Sequence, residues 1–156
     1  MKATAELVDE FGERAAVCLL QFRSFGRADF SGRIATVRCF EDNVLLRACL
    51  EDPGEGRVLV VDGGGSYRCA LLGDNIATLA LENDWAGIVV HGCIRDSVAL
   101  SSLDLGVRAL GTNPRPSRKA GGGEVGVPLE FGGVVFAPGA QLYADEDGVV
   151  IVAALP

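Results

Sequence analysis

Apolar positions in this chain fall into short runs parted by glycine, and the period of the runs changes along the chain. Ala5, Leu7, Val8 and Phe11 recur at helical spacing behind Thr4, which can cap a helix that Gly12 can end. Ile34, Thr36 and Arg38 alternate with Ala35, Val37 and Cys39, the period of a strand. A second helix is predicted from Asn43 to Leu50, with Asp42 as its cap, Val44, Leu45, Ala48 and Cys49 turned to a core, and Pro53-Gly54 as its stop. Arg57 to Asp62, RVLVVD, is a continuous apolar run, as expected of a strand buried on both faces. Gly63-Gly64-Gly65 then allow a close backbone approach, and Tyr67 to Leu72 reads as another short strand.

The stretch from Leu71 to Asp96 organises the rest. A turn at Gly73-Asp74 launches a helix, and the helix feeds the buried strand Ile88-Val89-Val90, which ends on Gly92 and the pair Arg95-Asp96. A helix of about ten residues rises roughly 15 Å, and a strand of about five residues, near 3.3 Å each, returns almost the same distance. Arg95 and Asp96 are therefore expected beside the Gly73 turn. A helix start, a guanidinium and a carboxylate would share one crevice, which suits a small anion and a divalent metal.

Beyond it, Ser97 to Leu103 reads as a brief helix and Val107 to Leu110 as a strand. Residues 111–126, rich in Gly, Pro and Ser, form the longest loop and the expected mobile segment. From Val127 the pattern is wholly β, with Pro138-Gly139 and glycine pairs at the corners. The sum is a single α/β domain over residues 1–156, with a layered sheet more than a doubly wound one.

Composition narrows the reading. The 156 residues are enough for a real core, and the five cysteines, an odd number without C-x-x-C spacing, read as reduced core residues of a cytoplasmic protein. MKATAELVDEFGE carries acids where a signal peptide needs an apolar core, and no apolar run approaches the roughly 20 residues of a membrane span. The net charge of −7 is dispersed, which argues against direct nucleic-acid binding; the one dense basic patch, Arg115 to Lys119, reads as a solvated loop. An acidic surface can instead suit a basic protein partner.

VLVVDGGGS resembles the strand and glycine loop of methyltransferases and dinucleotide-binding folds, but it lacks the G-x-G-x-x-G spacing and is followed by a strand. Asp74, then twenty residues, then Arg95-Asp96 behind IVVHGCIRD, is more specific. With FGRADFSGRIATVRCFEDNVLL, LLGDNIATLA, LDLGVRALGTNPR, FGGVVFAPG and LYADEDGVVIV, it resembles the family of the regulator of ribonuclease activity A and the 4-hydroxy-4-methyl-2-oxoglutarate aldolases over nearly the whole chain.

The resemblance implies a layered β/β/α fold of the swivelling-domain kind, a homotrimer, and sites near subunit interfaces. It implies that Gly73, Asp74, Asn75 and Ile76 hold a small 2-oxo acid, that Arg95 binds it as well, and that Asp96 anchors a divalent metal, Mg²⁺ or Mn²⁺. The implied reactions are cleavage of 4-hydroxy-4-methyl-2-oxoglutarate to pyruvate and decarboxylation of oxaloacetate. Both leave a pyruvate enolate, whose charge a Lewis acid stabilises.

Plainer readings stand beside these. Asp74 and Asp96 each precede a helix and can be N-caps, and Arg95 can pair with an acid. His91, the only histidine, reads as a core or interface residue; Asp145 and Asp147 read as turn formers. The aldolases carry an acid three residues after the aspartate matching Asp96, where this chain has Ala99, and they extend past the residue matching Pro156. Those departures and the net charge keep a second class open, a non-catalytic regulator that binds a ribonuclease or RNA helicase.

Overall fold

In the computed structural model, which describes residues 1–154, a ten-stranded mixed sheet dominates. The strands are β1 (Ala15–Val17), β2 (Arg23–Gly26), β3 (Phe30–Arg38), β4 (Val58–Asp62), β5 (Ala70–Leu72), β6 (Gly87–Ile94), β7 (Gly106–Thr112), β8 (Glu124–Val125), β11 (Gln141–Asp145) and β12 (Gly148–Val152). β9 (Leu129–Phe131) and β10 (Val134–Phe136) make a separate hairpin. The helices are α1 (Thr4–Phe11), α2 (Val44–Glu51), α3 (Asp74–Glu82) and α4 (Ser97–Ser101). The main path runs β1-β12-β11-β3-β4-β6-β7-β2, with β5 beside β6 and β8 beside β3. Pairings of β3 with β4, β4 with β6, β6 with β7 and β5 with β6 are parallel.

Period-two alternation explains why RVLVVD is apolar throughout. Leu59 and Val61 face the helical layer, where Leu46 and Leu50 of α2, Ala77 and Ala80 of α3 and Leu100 of α4 are fully buried. Val58 and Val60 face the other way, onto Leu129, Phe131 and Phe136 of the hairpin and Leu142 of β11. The parallel part of the sheet thus lies between a helical layer and a β layer made by the hairpin and the sheet's own β11–β12 end, the layered β/β/α architecture expected.

Several local expectations are corrected. Thr4 is the first helical residue of α1, not its cap, and both its N–H and its hydroxyl donate to Asp145, at 2.8 and 2.7 Å. In α2 the buried residues are Leu46 and Leu50, while Val44 is exposed. Asn43 takes the cap position, and Asp42 instead accepts from the Val44 N–H at 3.1 Å and from Ala120 and Gly121 at 2.8 and 2.9 Å. Strand β5 begins only at Ala70, α4 stops at Ser101, and β7 runs two residues past Leu110.

The segment 113–123 is not free. Ala70 N–H donates to the Arg115 carbonyl at 2.8 Å and Arg118 N–H to the Glu41 carbonyl at 3.1 Å, while Asp42 gathers the amides at 120–121. Pinned in this way, the segment becomes a wall beside the ends of β5 and β6. No helix is long and apolar enough to cross a membrane among the described residues.

Candidate functional site

A cavity of about 400 Å³ opens where β5 and β6 end, between α2 and α3. Gly73, Asp74, Asn75, Ile76, Arg95 and Asp96 all line it. The convergence is close: a Cβ built on Gly73 would lie 2.7 Å from Asp96 Oδ2 and 3.5 Å from Arg95 Nε. Parallel pairing of β5 with β6 produces this meeting, through the bond of the Arg95 N–H to the Leu72 carbonyl at 2.9 Å.

Asp96 sits at the cap position of α4 with a left-handed backbone, φ 57° and ψ 42°, yet makes no side-chain cap bond there. Its Oδ2 accepts instead from the Asp74 N–H at 3.0 Å, the first amide of α3. The opening amides of a helix have no intrahelical partner. Asp96 therefore occupies one of the free donors of α3, and the next two, on Asn75 and Ile76, belong to residues of the cavity lining. Asp74 is the first helical residue, with Gly73 at the cap position. Among the described residues, the Arg95 side chain has no carboxylate partner, so the ion-pair reading of Arg95 does not hold.

Lys119 and Asn43 complete the lining; from sequence Lys119 was read as part of a solvated basic loop and Asn43 only as the start of a helix, neither as a site residue. Lys119 Nζ donates to Asn43 Oδ1 at 3.3 Å, and Asn43 Nδ2 holds the Leu71 carbonyl at 3.2 Å. Asn43, Val44, Arg47, Ala48 and Glu51 line the cavity from one face of α2. Their i, i+1, i+4, i+5, i+8 spacing is a helical stripe, a signal present in the sequence but assigned there in part to the core. Lys119 carried no such signal, because only the pinned segment brings it in.

Other candidates lie elsewhere. His91 Nδ1 meets Asp62 Oδ1 at 3.1 Å, its ring stacks on Phe131 with centroids 4.5 Å apart, and it is half-buried on the β-layer side of the sheet. The hydrogen bond from His91 is the main reason the Asp62 carboxyl lies below its ordinary range. The amides of Gly63, Gly64 and Gly65 go to the His91 carbonyl, Asp62 Oδ1 and the His91 carbonyl again, so the glycine loop has no donors left to cradle a cofactor phosphate. Asp145 Oδ1 holds the Asp147 N–H at 2.9 Å in addition to Thr4. Four cysteines are buried and one half-buried, all with free thiols, and burial pushes Cys39 up to about 12. Ala99 is exposed and does not line the cavity, Asp104 pairs with Arg27 at 3.7 Å, and Pro156 lies outside the described residues.

Among the described residues, no three His, Cys, Asp or Glu side chains are grouped to hold a metal. The donor set instead fits a hard ion that keeps several waters and needs one or two carboxylates. Asp96 has one oxygen left for such an ion, and Asp74 lines the same cavity.

Comparison with known proteins places the chain. The model of the RraA-like family, described as Aldolase/RraA, matches residues 4–151. The chain belongs to this RraA-like family. A Laribacter hongkongensis protein named putative 4-hydroxy-4-methyl-2-oxoglutarate aldolase is 60% identical to the RraA-like chain over 148 residues, 94% of this chain and 93% of that one. The solved structure of the RNA-processing inhibitor RraA from Thermus thermophilis is 49% identical, with TM-score 0.95 over 100% of this chain and 96% of that chain. A Geobacillus kaustophilus structure described as an S-adenosylmethionine:2-dimethylmenaquinone methyltransferase is 52% identical, with TM-score 0.97 over 99% and 96%.

Proposed function

We propose that the protein is a divalent-cation-dependent carbon–carbon lyase that releases pyruvate from 4-hydroxy-4-methyl-2-oxoglutarate, from oxaloacetate, or from both. The observation that carries this reading is Arg95: an arginine without a carboxylate partner among the described residues, laid against the same glycine as the Asp96 carboxylate, at the wall of a cavity. A scaffold has no need of that pairing. The name given to the Laribacter hongkongensis relative supports it.

In this reading the amides of Asn75 and Ile76, at the positive end of α3, bind the substrate carboxylate. Arg95 lays its fork on the keto side, where negative charge grows as the bond breaks, and such a preorganised donor is worth most when that charge is greatest. Lys119, steadied by Asn43, adds a second positive group to the wall. Asp96, with Asp74 beside it, would hold Mg²⁺ or Mn²⁺, and the ion when bound supplies Lewis-acid polarisation of the keto oxygen. The same reading makes the protein a cytoplasmic homotrimer, for which light scattering should give about three times the chain mass of 16.3 kDa.

The test is pyruvate release from both substrates with Mg²⁺ or Mn²⁺, in the wild type and in Asp96→Asn. Asparagine keeps an acceptor for the Asp74 N–H and tolerates the left-handed backbone, so the variant should fold as before while turnover falls at least about 100-fold. No turnover above free metal, or full turnover in Asp96→Asn, overturns the proposal.

A second reading is a regulator of an RNA-degrading ribonuclease or helicase, favoured by the likeness to the Thermus thermophilis RNA-processing inhibitor and by Ala99. It requires capture of basic segments of such an enzyme at low salt, where attraction to an acidic surface is strongest. Absence of binding there removes it.

A further inference from the structure

We propose that Arg47 is a specificity-determining residue of this cavity, the group that selects substrates with a second carboxylate far from the keto group. The inference rests on the lyase reading for the near end of the cavity but concerns its opposite wall.

Arg47 stands on α2, facing the wall that carries the α3 start and Arg95, and it lines the same cavity. Among the described residues its only side-chain hydrogen bond is from Nε to Glu51 Oε1 at 3.3 Å, one turn along the helix. The bond uses one edge of the guanidinium and leaves the two terminal nitrogens for a ligand. Val44 and Ala48, which also line the cavity from α2, flank the exposed guanidinium with apolar surface, so that a ligand seated there would itself supply the desolvation that strengthens a charge-assisted bond.

Charge placement gives the second argument. Arg47, Arg95 and Lys119 reach one cavity from three separate elements: α2, the turn after β6 and the segment 113–123. Of the carboxylates in the same lining, Asp74 and Asp96 lie at the α3 start and Glu51 is paired with Arg47 Nε, which leaves the terminal nitrogens of Arg47 as the cationic donors on the α2 wall. A monocarboxylate held by the α3 amides and Arg95 engages only the inner end, and its other end is an apolar methyl that gives Arg47 nothing to bind. A dicarboxylic 2-oxo acid presents a second fork-shaped acceptor to the far wall. Arginine meets that shape with two parallel bonds, which lysine or a neutral residue cannot reproduce.

The experiment is calorimetric binding with Mg²⁺ present, comparing 2-oxoglutarate with pyruvate, in wild type, Arg47→Gln and Arg47→Lys. Because it needs no turnover, it stands apart from the test of the lyase reading. Wild type is expected to favour the dicarboxylate at least about 10-fold, as one added charge-assisted pair predicts. In Arg47→Gln that preference should collapse to near twofold, with Arg47→Lys in between. For 4-hydroxy-4-methyl-2-oxoglutarate the loss should fall on KM more than on kcat, since its second carboxylate stays on the departing pyruvate and contributes equally to ground and transition states. In oxaloacetate that carboxylate is the group lost as CO₂, so the split is not expected there. An unchanged preference in Arg47→Gln, or a wild type without preference, overturns the assignment. Absent turnover with an intact preference would instead overturn the lyase reading and leave this one standing.

Discussion

Gly73 has an extended backbone, φ −130°, that any residue adopts, so what the position demands is space. A Cβ there would stand 2.7 Å from the Asp96 carboxylate, and the crowded atom is the tip of a side chain, able to swing away. Gly73→Ala should therefore fold normally by circular dichroism while displacing Asp96 and the neighbouring Arg95. A displacement on the order of 1 Å can reduce kcat/KM about 100-fold, which pyruvate release measures. At this scale much was legible: glycine, aspartate and the arginine–aspartate pair sit at spacings that a helix and a return strand close up. Lys119 was not legible, since its approach depends on a hydrogen bond to Asn43 across 76 positions rather than on any local period.

Element by element, the helices were placed well and their faces less so. For α2 the apolar residues are dense enough that periodicity permits two orientations, and packing against Val37 and Leu59 selects Leu46 and Leu50. Leu46→Ala should lower the unfolding free energy by about 2–5 kcal/mol in urea titrations, as for a buried leucine without room to collapse. The segment 111–126 looked mobile from its glycines and prolines, and the decisive contacts, from Glu41 and Asp42, lie far away in sequence.

Asp42 makes the wall sensitive to pH directly, through its carboxylate, while Glu41 holds the wall by its backbone carbonyl and anchors itself by its carboxylate to Arg68 and Ser66. Arg68 and Ser66, by hydrogen bonding, hold Glu41 down from 4.5 to about 2. For Asp42, burial acts upward, but bonds from the amides of Val44, Ala120 and Gly121 outweigh it and leave the carboxyl below its ordinary 3.8. With folded values depressed, their stabilisation is complete above the ordinary values and is lost as pH falls through the folded ones. Hydrogen exchange at Ala120 and Gly121, corrected for its intrinsic pH dependence, should accelerate from pH 5 toward pH 2, before global unfolding. Asp42→Asn should show faster exchange there already at neutral pH.

Across the whole molecule, the layered fold was readable because a continuous apolar strand next to a β-rich end leaves few other architectures. A cross-link within the sheet was hidden. Arg108 is buried, with its guanidinium 5.1 Å from the Phe30 ring centroid and its donors on the carbonyls of Arg27 and Ala28, tying β7 to the turn between β2 and β3. An arginine in a strand reads as exposed, and only the surrounding carbonyls make burial tolerable. Arg108→Ala should reduce stability by about 2–4 kcal/mol in denaturant titration, because those carbonyls lose their donor inside the protein.

Asp96 also stoppers the first amide of α3 from outside that helix. Chemical competence and local order thus depend on one carboxyl group. A descendant of this chain that abandoned catalysis and lost the acid would have to recruit another acceptor for that amide or let the opening turn of the helix fray. Retirement from chemistry would leave a scar in the backbone, readable as faster exchange at Asp74 even when nothing remained of the reaction.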